Sequence, residues 1–300
     1  MFTNATSVVI GGKEVQSIKI TSNNAVLYEK PSSQSQTVSS VSLATDKGAI
    51  SYYHTESATL SATVLDTNNS PVESETVEFF KGGTSIGTST TNANGVATKT
   101  YSSTGVGDVS FSAECDNVSS TAITIEDCHY YNNGTINDVV IASGGVVTVE
   151  NGALKITTAT SGEKKWYFPT VSKFTKSNNV QMIFESAREV GDETNNAQIL
   201  TASLNPSATT STQGYASYNV SSNDTGGSWS CSFNNDSYTH NISLVKGDII
   251  RFVREGNYTK LYHNNTLIRS VSRSVSNFYF GGYTNKDRVQ RLKNIKIKAL

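Results

Sequence analysis

Hydrophobic and polar residues alternate with a period of two in most apolar segments of the chain, as in half-buried β-strands. The clearest case is the C-terminus, where Ile295, Ile297 and Ala299 alternate with Lys296 and Lys298. Asn and Gly residues separate the segments, and no segment shows the 3.6-residue period of an amphipathic helix. The pattern therefore predicts an all-β protein.

A three-stranded antiparallel meander is predicted ahead of that last strand. Its strands cover residues 249–254, 258–263 and 266–271, with turns at 255–257 and 264–265. The second turn is Asn-Asn, and Asn tolerates the left-handed backbone conformation that tight hairpin turns require.

The motif order around this meander has a family counterpart. Gly-Asp at 247–248 precedes the first strand, Leu-Tyr-His-Asn-Asn spans the hairpin at 261–265, Phe-Gly-Gly follows at 280–282, and a strand at 292–299 ends the chain. This order resembles the concanavalin A-like (laminin-G-like) jelly-roll modules, in which the hairpin often ends in Asn-Gly. The resemblance covers about residues 127–300 and implies two stacked antiparallel sheets with a carbohydrate-binding face.

Residues 37–126 carry seven strand-sized segments at the spacing of a β-sandwich. The segments are 41–43, 58–65, 77–80, 84–89, 95–101, 107–113 and 120–125. Asn94-Gly95 is a strong hairpin signal. Val-Glu-Phe-Phe at 77–80, Ile-Gly at 86–87, Asn-Gly-Val-Ala at 94–97 and Phe-Ser-Ala at 111–113 resemble the bacterial Ig-like repeats of invasin and intimin adhesins. That resemblance implies a spacer domain and transfers no ligand site.

Residues 1–30 read as short strands that are too few to bury a core, and residues 31–36 as a polar linker. The segments 10–20 and 26–30 resemble short β-segments at the starts of tail and baseplate proteins of tailed viruses. This implies a unit that docks onto other virion proteins. It also implies a homo-oligomer, but the sequence contains no heptad stalk from which its symmetry could be predicted. The alternative is the first strand pair of an ordinary sandwich.

Composition narrows the class of protein. Charged residues make up 16% of the 300 residues, against roughly 25% in ordinary soluble proteins, and such hydroxyl- and amide-rich surfaces are typical of extracellular or virion-surface β proteins. A net charge of -1 excludes strong electrostatic binding to nucleic acid or an anionic membrane. No apolar run approaches the roughly 20 residues of a membrane span.

The first six residues contain neither the basic nor the apolar region of a secretory signal. We therefore expect a virion-surface protein assembled in the host cytoplasm, with a processed chain as the alternative. The functional hypothesis is a non-enzymatic tail-fibre, baseplate or receptor-binding adhesin that attaches to a host cell-surface glycan. The alternatives are a capsid decoration or head-fibre protein and a cellular surface adhesin located at the cell surface.

The cysteines and histidines do not predict a catalytic or zinc site. Cys115, Cys128 and Cys231 include no C-x-x-C pair, and the four His residues have no ligand spacing. Cys115 and Cys128 could form a disulfide across a domain junction, or all three thiols could stay unpaired. No cofactor is expected.

Glu185 and Glu189 have the i, i+4 spacing that places two acids on one face of a strand in jelly-roll glycosidases. The glucanase pattern Glu-x-Asp-x-x-Glu is absent, and residues 190–193 read as the polar loop after a strand. We interpret both carboxylates as solvated charges at a strand end.

Sugar binding needs an aromatic platform together with amide and carboxylate groups. Residues 215–229 supply both kinds of group within one segment, and the predicted glycan-binding residues are Trp229, Tyr218, Asn223, Asp224 and Tyr283. A core position is the alternative for Trp229 and for Trp166. Ca²⁺ could also bind Asn223 and Asp224, although the ordered oxygen spacing of a dedicated calcium loop is missing.

Overall fold

The computed structural model describes residues 36–141, 145–158, 164–168, 179–187, 245–272, 280–284 and 289–300, together with shorter segments. The shorter segments are 9–10, 13–14, 17–19, 26–29, 174–175, 189, 197–201, 217–220, 229–233, 236–240 and 277–278. Every regular element in this part of the chain is a β-strand, which confirms the all-β prediction. No helix within it is long and apolar enough to cross a membrane.

The N-terminal strands form two antiparallel pairs, β1 with β2 and β3 with β4. Their bounds are β1 (Val9–Ile10), β2 (Lys13–Glu14), β3 (Ser17–Lys19) and β4 (Val26–Glu29).

Nine strands form the first sandwich. They are β5 (Val38–Thr45), β6 (Ala49–Ser51), β7 (Ser57–Asp66), β8 (Thr76–Lys81), β9 (Thr84–Thr90), β10 (Val96–Ser102), β11 (Gly107–Cys115), β12 (Val118–Ser119) and β13 (Ile123–Cys128). One sheet has the order β10-β7-β5, and the other has the order β6-β13-β11-β8-β9 with β12 on β11. In β7 every second residue is buried, from Ala58 to Val64, so the period of two places these side chains between the sheets.

The prediction of a hairpin at Asn94-Gly95 is wrong, although the chain does turn there. The turn connects β9 to β10, which lie in different sheets. The side chain of Asn92 satisfies the turn locally, since its Oδ1 accepts hydrogen bonds from the backbone N–H groups of Asn94 (2.9 Å) and Val96 (3.1 Å). Gly95 has a φ of 69°, and a Cβ there would lie 2.6 Å from the carbonyl oxygen of Val64. The same local signal therefore serves a crossing between sheets.

The remaining strands belong to the second sandwich. They are β14 (Tyr130–Asn132), β15 (Val140–Ile141), β16 (Gly145–Glu150), β17 (Ala153–Thr158), β18 (Lys164–Tyr167), β19 (Phe174–Thr175), β20 (Val180–Ser186), β21 (Ala197–Thr201), β22 (Ser217–Val220), β23 (Trp229–Phe233), β24 (Asp236–His240), β25 (Ile249–Glu255), β26 (Tyr258–His263), β27 (Thr266–Ser272), β28 (Asn277–Phe278), β29 (Phe280–Thr284) and β30 (Val289–Ala299).

Two large antiparallel sheets make up most of this sandwich, and β19 pairs with β28 in a separate two-stranded sheet. The eight-stranded sheet has the order β16-β17-β30-β20-β25-β26-β27, with β14 also on β30, and the seven-stranded sheet has the order β15-β18-β29-β21-β22-β23-β24. The predicted meander is present as β25, β26 and β27. In β30, Ile295 and Ile297 are fully buried while Lys296 and Lys298 are not, as the alternation predicted.

The junction between the sandwiches contains no free linker. Only His129 separates β13 from β14, and the loop after β6 follows this segment, with Tyr52 N donating to Cys128 O (2.8 Å) and Tyr53 N to His129 O (3.1 Å). The side chain of Tyr53 packs against the buried cluster of the second sandwich. Backbone hydrogen bonds and apolar packing therefore hold the two sandwiches together.

Candidate functional site

The seven-stranded sheet brings together three strands that carry predicted glycan-binding residues. Tyr218 lies in β22, Trp229 in β23 and Tyr283 in β29. Strand β21 separates β29 from β22, and its residue Ile199 pairs with Tyr218 on one side and with Gly282 on the other. Since neighbouring strands are about 4.8 Å apart, the backbones of Tyr218 and Gly282 are roughly 10 Å apart.

The side chains of Tyr218, Trp229 and Tyr283 lie outside the described residues, as do Asn223 and Asp224 altogether. What the backbone gives is register: Val220 pairs with Trp229, and Tyr218 pairs with Cys231. Tyr218 and Trp229 therefore lie on one face of the sheet, whereas Tyr283, which pairs with Gln198 beside Ile199, lies on the opposite face. The glycan site stays a prediction. The calcium prediction at Asn223 and Asp224 also falls outside the described residues.

Trp166 occupies the core, as the alternative interpretation held for it. Its side chain is 2% exposed and meets Phe168 edge-on, with ring centroids 5.2 Å apart. The neighbouring strand β29 has a glycine, Gly281, where it passes Trp166. A Cβ at this position would lie 2.2 Å from the carbonyl oxygen of Trp166. The Phe-Gly-Gly motif therefore permits close approach of β29 to β18.

Glu185 and Glu189 do not lie on one strand, because β20 ends at Ser186. Glu185 accepts a hydrogen bond from Asn294 Nδ2 (2.7 Å). Glu189 accepts one from Asn151 Nδ2 (3.1 Å) and lies 3.7 Å from a guanidinium nitrogen of Arg291. These partners fit the interpretation of both acids as charges at a strand end.

Cys115 and Cys128 are free and buried, so the disulfide alternative is wrong for this pair. Burial raises the pKa of the Cys128 thiol to about 12 and also raises the pKa of Cys115. Both thiols are therefore protonated at neutral pH and are poor nucleophiles. The side chain of Cys231 is outside the described residues.

Metal ligands are not clustered in the described part of the chain. No group of three or more His, Cys, Asp and Glu residues there could hold an ion. One small cluster is structural: Asp248 accepts hydrogen bonds from Val245 N (2.8 Å), Asn264 Nδ2 (2.8 Å) and His263 Nε2 (3.0 Å). Burial would raise the pKa of Asp248, but these donors outweigh it and lower the pKa. The cluster joins the turn before β25 to the turn after β26.

The outer face of the eight-stranded sheet carries a row of side chains that sequence reasoning missed. Strand pairing aligns Lys296, Ile183, Arg251, Tyr262 and Leu267 across five strands. The Arg251 guanidinium lies over the Tyr262 ring, 3.9 Å from its centroid, and Leu267 is half exposed. The predicted turn at 255–257 would have placed Arg251 opposite Leu261, whereas the observed turn covers only Gly256 and Asn257 and pairs Arg251 with Tyr262.

The chain is similar to known proteins in fold but not in sequence. No family model and no curated protein matches the chain. Among solved structures, the chain is similar to the carbohydrate-binding module CBM66 from Bacillus subtilis, with 13% identity over 55% of this chain and 98% of that chain and a TM-score of 0.39. The potassium-bound Emp46p carbohydrate recognition domain has 11% identity over 57% of this chain and 96% of that chain, with a TM-score of 0.43.

The Yersinia pseudotuberculosis adhesin InvE matches a longer part of the chain. Its identity is 17% over 79% of this chain and 60% of that chain, with a TM-score of 0.30. At such identities and TM-scores, no residue role is transferred from these proteins to this chain.

Proposed function

We propose that this protein is a non-enzymatic attachment protein of a tailed-virus particle, and that its second sandwich binds a host cell-surface glycan. Residues 1–30 dock it to other virion proteins, and the first sandwich is a spacer. Trp229 and Tyr218 form the aromatic platform, and Asn223 and Asp224 bind the sugar hydroxyls. Tyr283 is one position out of register with Tyr218, on the opposite face of the sheet, and is not part of the platform. The protein resides on the virion surface as a homo-oligomer.

One observation carries the glycan part of this proposal. Tyr218 pairs with Cys231, two residues from Trp229, so Tyr218 and Trp229 lie on the same face of the adjacent strands β22 and β23. One aromatic ring stacks on one pyranose, so a platform for a glycan of several sugars needs rings from neighbouring strands. A continuous sheet supplies that spacing.

The junction supports the spacer role. A spacer fixes the position of the domain that it carries only if the junction between them does not bend freely. Here the single residue His129 connects β13 to β14. Ion pairs from Lys298 of the second sandwich to Glu126 (2.6 Å) and Asp108 (3.1 Å) of the first add to the backbone contacts. A glycan-binding sheet on such an arm is held at a defined distance from the particle.

The test is binding of the full chain to host envelope polysaccharide, with Trp229→Ala and Tyr218→Ala as variants. Each loses an aromatic contact of roughly 1.5 kcal/mol, so we expect affinity to fall about tenfold. Tyr258→Ala is the matched control, since Tyr258 is an exposed tyrosine of the eight-stranded sheet. Unchanged binding by both platform variants would disprove the platform.

A second experiment tests whether residues 1–30 dock the protein to the virion. Deleting residues 1–30 is expected to abolish incorporation into virions while leaving polysaccharide binding unchanged. Robust binding to capsids without any binding to polysaccharide would instead favour the decoration or head-fibre alternative.

A further inference from the structure

The cations on the outer face of the eight-stranded sheet fall into two groups. In the first group, each side chain has a carboxylate in salt-bridge contact: Lys155, Lys260, Arg291, Lys296 and Lys298. Arg251 and Lys293 form the second group, because neither has a carboxylate partner among the residues that the structure describes. Two positive charges on this face are therefore left for an external partner.

The guanidinium of Arg251 has a fixed orientation before such a partner binds. Its guanidinium lies on the Tyr262 ring at 3.9 Å, and its Nε is buried without a hydrogen-bond partner. Stacking on an aromatic ring fixes the plane of the guanidinium, and a fixed guanidinium loses less conformational entropy when it binds an anion. Its planar fork matches a carboxylate or a sulfate group.

Lys293 is separated from the acid that faces it. Glu185 lies directly opposite Lys293 in the register of β20 and β30, but its carboxylate accepts a hydrogen bond from Asn294 (2.7 Å). Asn294 has a φ of 50°, and this bulge leaves both Lys293 and Asn294 half-buried between the buried Leu292 and Ile295. The side-chain amide of Asn294, at the bulge, thus binds the Glu185 carboxylate, and Lys293 forms no ion pair with it.

The surface between these two cations suits a sugar ring. Strand β20 separates β25 from β30, and Arg251 and Lys293 pair with residues two positions apart on it, so their backbones are about 12 Å apart. Ile183 of β20 is half-buried and lies beside Arg251, and the more exposed Ile249 lies beside Glu185, whose other neighbour in the register is Lys293. Apolar side chains flanked by cations fit the apolar face and the acidic groups of a charged saccharide.

We propose that the outer face of the eight-stranded sheet binds an acidic polysaccharide, whose carboxylate or sulfate groups are held by Arg251 and Lys293. An acidic peptide fits less well, because extended peptides commonly pair with a sheet edge, whereas β25 and β30 are each paired on both sides. A membrane fits less well because the neighbouring cations are neutralised. This surface is separate from the seven-stranded sheet and does not depend on the proposed platform.

The test measures binding of the full chain to polygalacturonate, dextran sulfate, polyglutamate and neutral dextran. Arg251→Gln and Lys293→Gln are each expected to lower the affinity for polygalacturonate or dextran sulfate about tenfold, as loss of a charge-assisted hydrogen bond does. Lys260→Gln is the matched control: it removes one positive charge from the same face, where Lys260 pairs with Glu255. We expect it to change affinity by about twofold at most.

Arg251→Lys keeps the charge but not the planar fork and should bind with intermediate affinity, which also tests the site if Arg251→Gln unfolds. Trp229→Ala should leave binding to the acidic polymers unchanged. Four results would overturn the inference: wild-type protein that binds neither acidic polysaccharide, an equal loss in Lys260→Gln, loss of binding in Trp229→Ala, or polyglutamate bound as tightly as polygalacturonate. The choice between the two acidic polymers identifies carboxylate or sulfate as the recognised group.

Discussion

The two sandwiches differ in what fills their cores. Among the described residues, the first core is mainly aliphatic, with Phe79, Tyr101 and Phe111 as its buried rings. The second core is rich in aromatic side chains, and its buried rings are Tyr130, Trp166, Phe168, Phe174, Phe184, Phe252 and Phe280. Large rings bury more area per side chain but leave gaps unless their neighbours are fixed. The second core therefore depends more on well-placed partners.

One of those partners comes from the first sandwich. Tyr53 lies 6.2 Å from Tyr130, Tyr130 lies 5.3 Å from Phe168, and Phe168 lies 5.2 Å from Trp166, measured between ring centroids. This chain of rings runs from the loop after β6 into the second core. No apolar residue described in the second sandwich belongs to the first cluster. The dependence is thus one-sided: the second core is completed by the first sandwich.

Tyr53→Ala is the strongest test of that one-sided dependence. Removing a partly buried ring is expected to destabilise the second sandwich by about 2 kcal/mol and the first sandwich much less. Both tryptophans of the chain, Trp166 and Trp229, belong to the second sandwich. Tryptophan fluorescence in a urea titration therefore reports this sandwich, and far-UV circular dichroism reports both.

Tyr52→Ala is the control for Tyr53→Ala, because the contact of Tyr52 with Cys128 is made by its backbone N–H. We expect its fluorescence midpoint to stay close to that of the wild type. An equal shift in both variants would mean that the loop, and not the Tyr53 ring, stabilises the second core.

The sequence predicted local structure well where a strand has one buried face. Strand β26 has the predicted bounds, and β25 begins at the predicted residue. Strand β6 was missed because its three residues are all buried, so it shows no alternation. It also pairs in parallel with β13, a contact between distant residues that no local pattern encodes.

Sites were harder to predict than strands, for the same reason. Residues 215–229 were singled out because their aromatic and amide groups are adjacent in the chain, whereas Arg251, Glu185 and Lys293 are brought together by pairing between β20, β25 and β30. Likewise, the contact between Tyr53 and Tyr130 joins two predicted domains, and no periodicity or motif in the sequence indicates it. Only the register of the assembled sheets reveals such groups.

Acid should loosen the junction through Asp138. His54 Nε2 lies 2.6 Å from one carboxylate oxygen of Asp138, and the Tyr130 hydroxyl donates to the other at 2.7 Å. Burial would raise the pKa of Asp138, but these hydrogen bonds outweigh it and lower the pKa. Because the folded state stabilises the carboxylate, this contribution is complete above the ordinary pKa of 3.8 and is lost as the pH falls through the lowered value.

We therefore expect Asp138→Asn to cost about 1 kcal/mol at pH 7 and to cost progressively less as the pH falls below the ordinary pKa of 3.8. Fluorescence-monitored urea titrations at several pH values measure this difference. Glu73→Gln, at an exposed residue of the first sandwich, is the control and should leave the pH profile unchanged. A loss from Asp138→Asn that is the same at all pH values would contradict a role for the charge.

The ion pairs at the junction should contribute least to the coupling of the two sandwiches. Lys298 contacts both Glu126 and Asp108, but such pairs lie near solvent, where they contribute at most about 1 kcal/mol. Lys298→Gln should lower stability by about 0.5 kcal/mol at low salt, and the loss should shrink in 1 M NaCl. The control is Lys260→Gln, whose pair with Glu255 lies within the second sandwich. If Lys298→Gln separated the fluorescence and circular dichroism transitions as much as Tyr53→Ala, the charges rather than the ring would join the sandwiches.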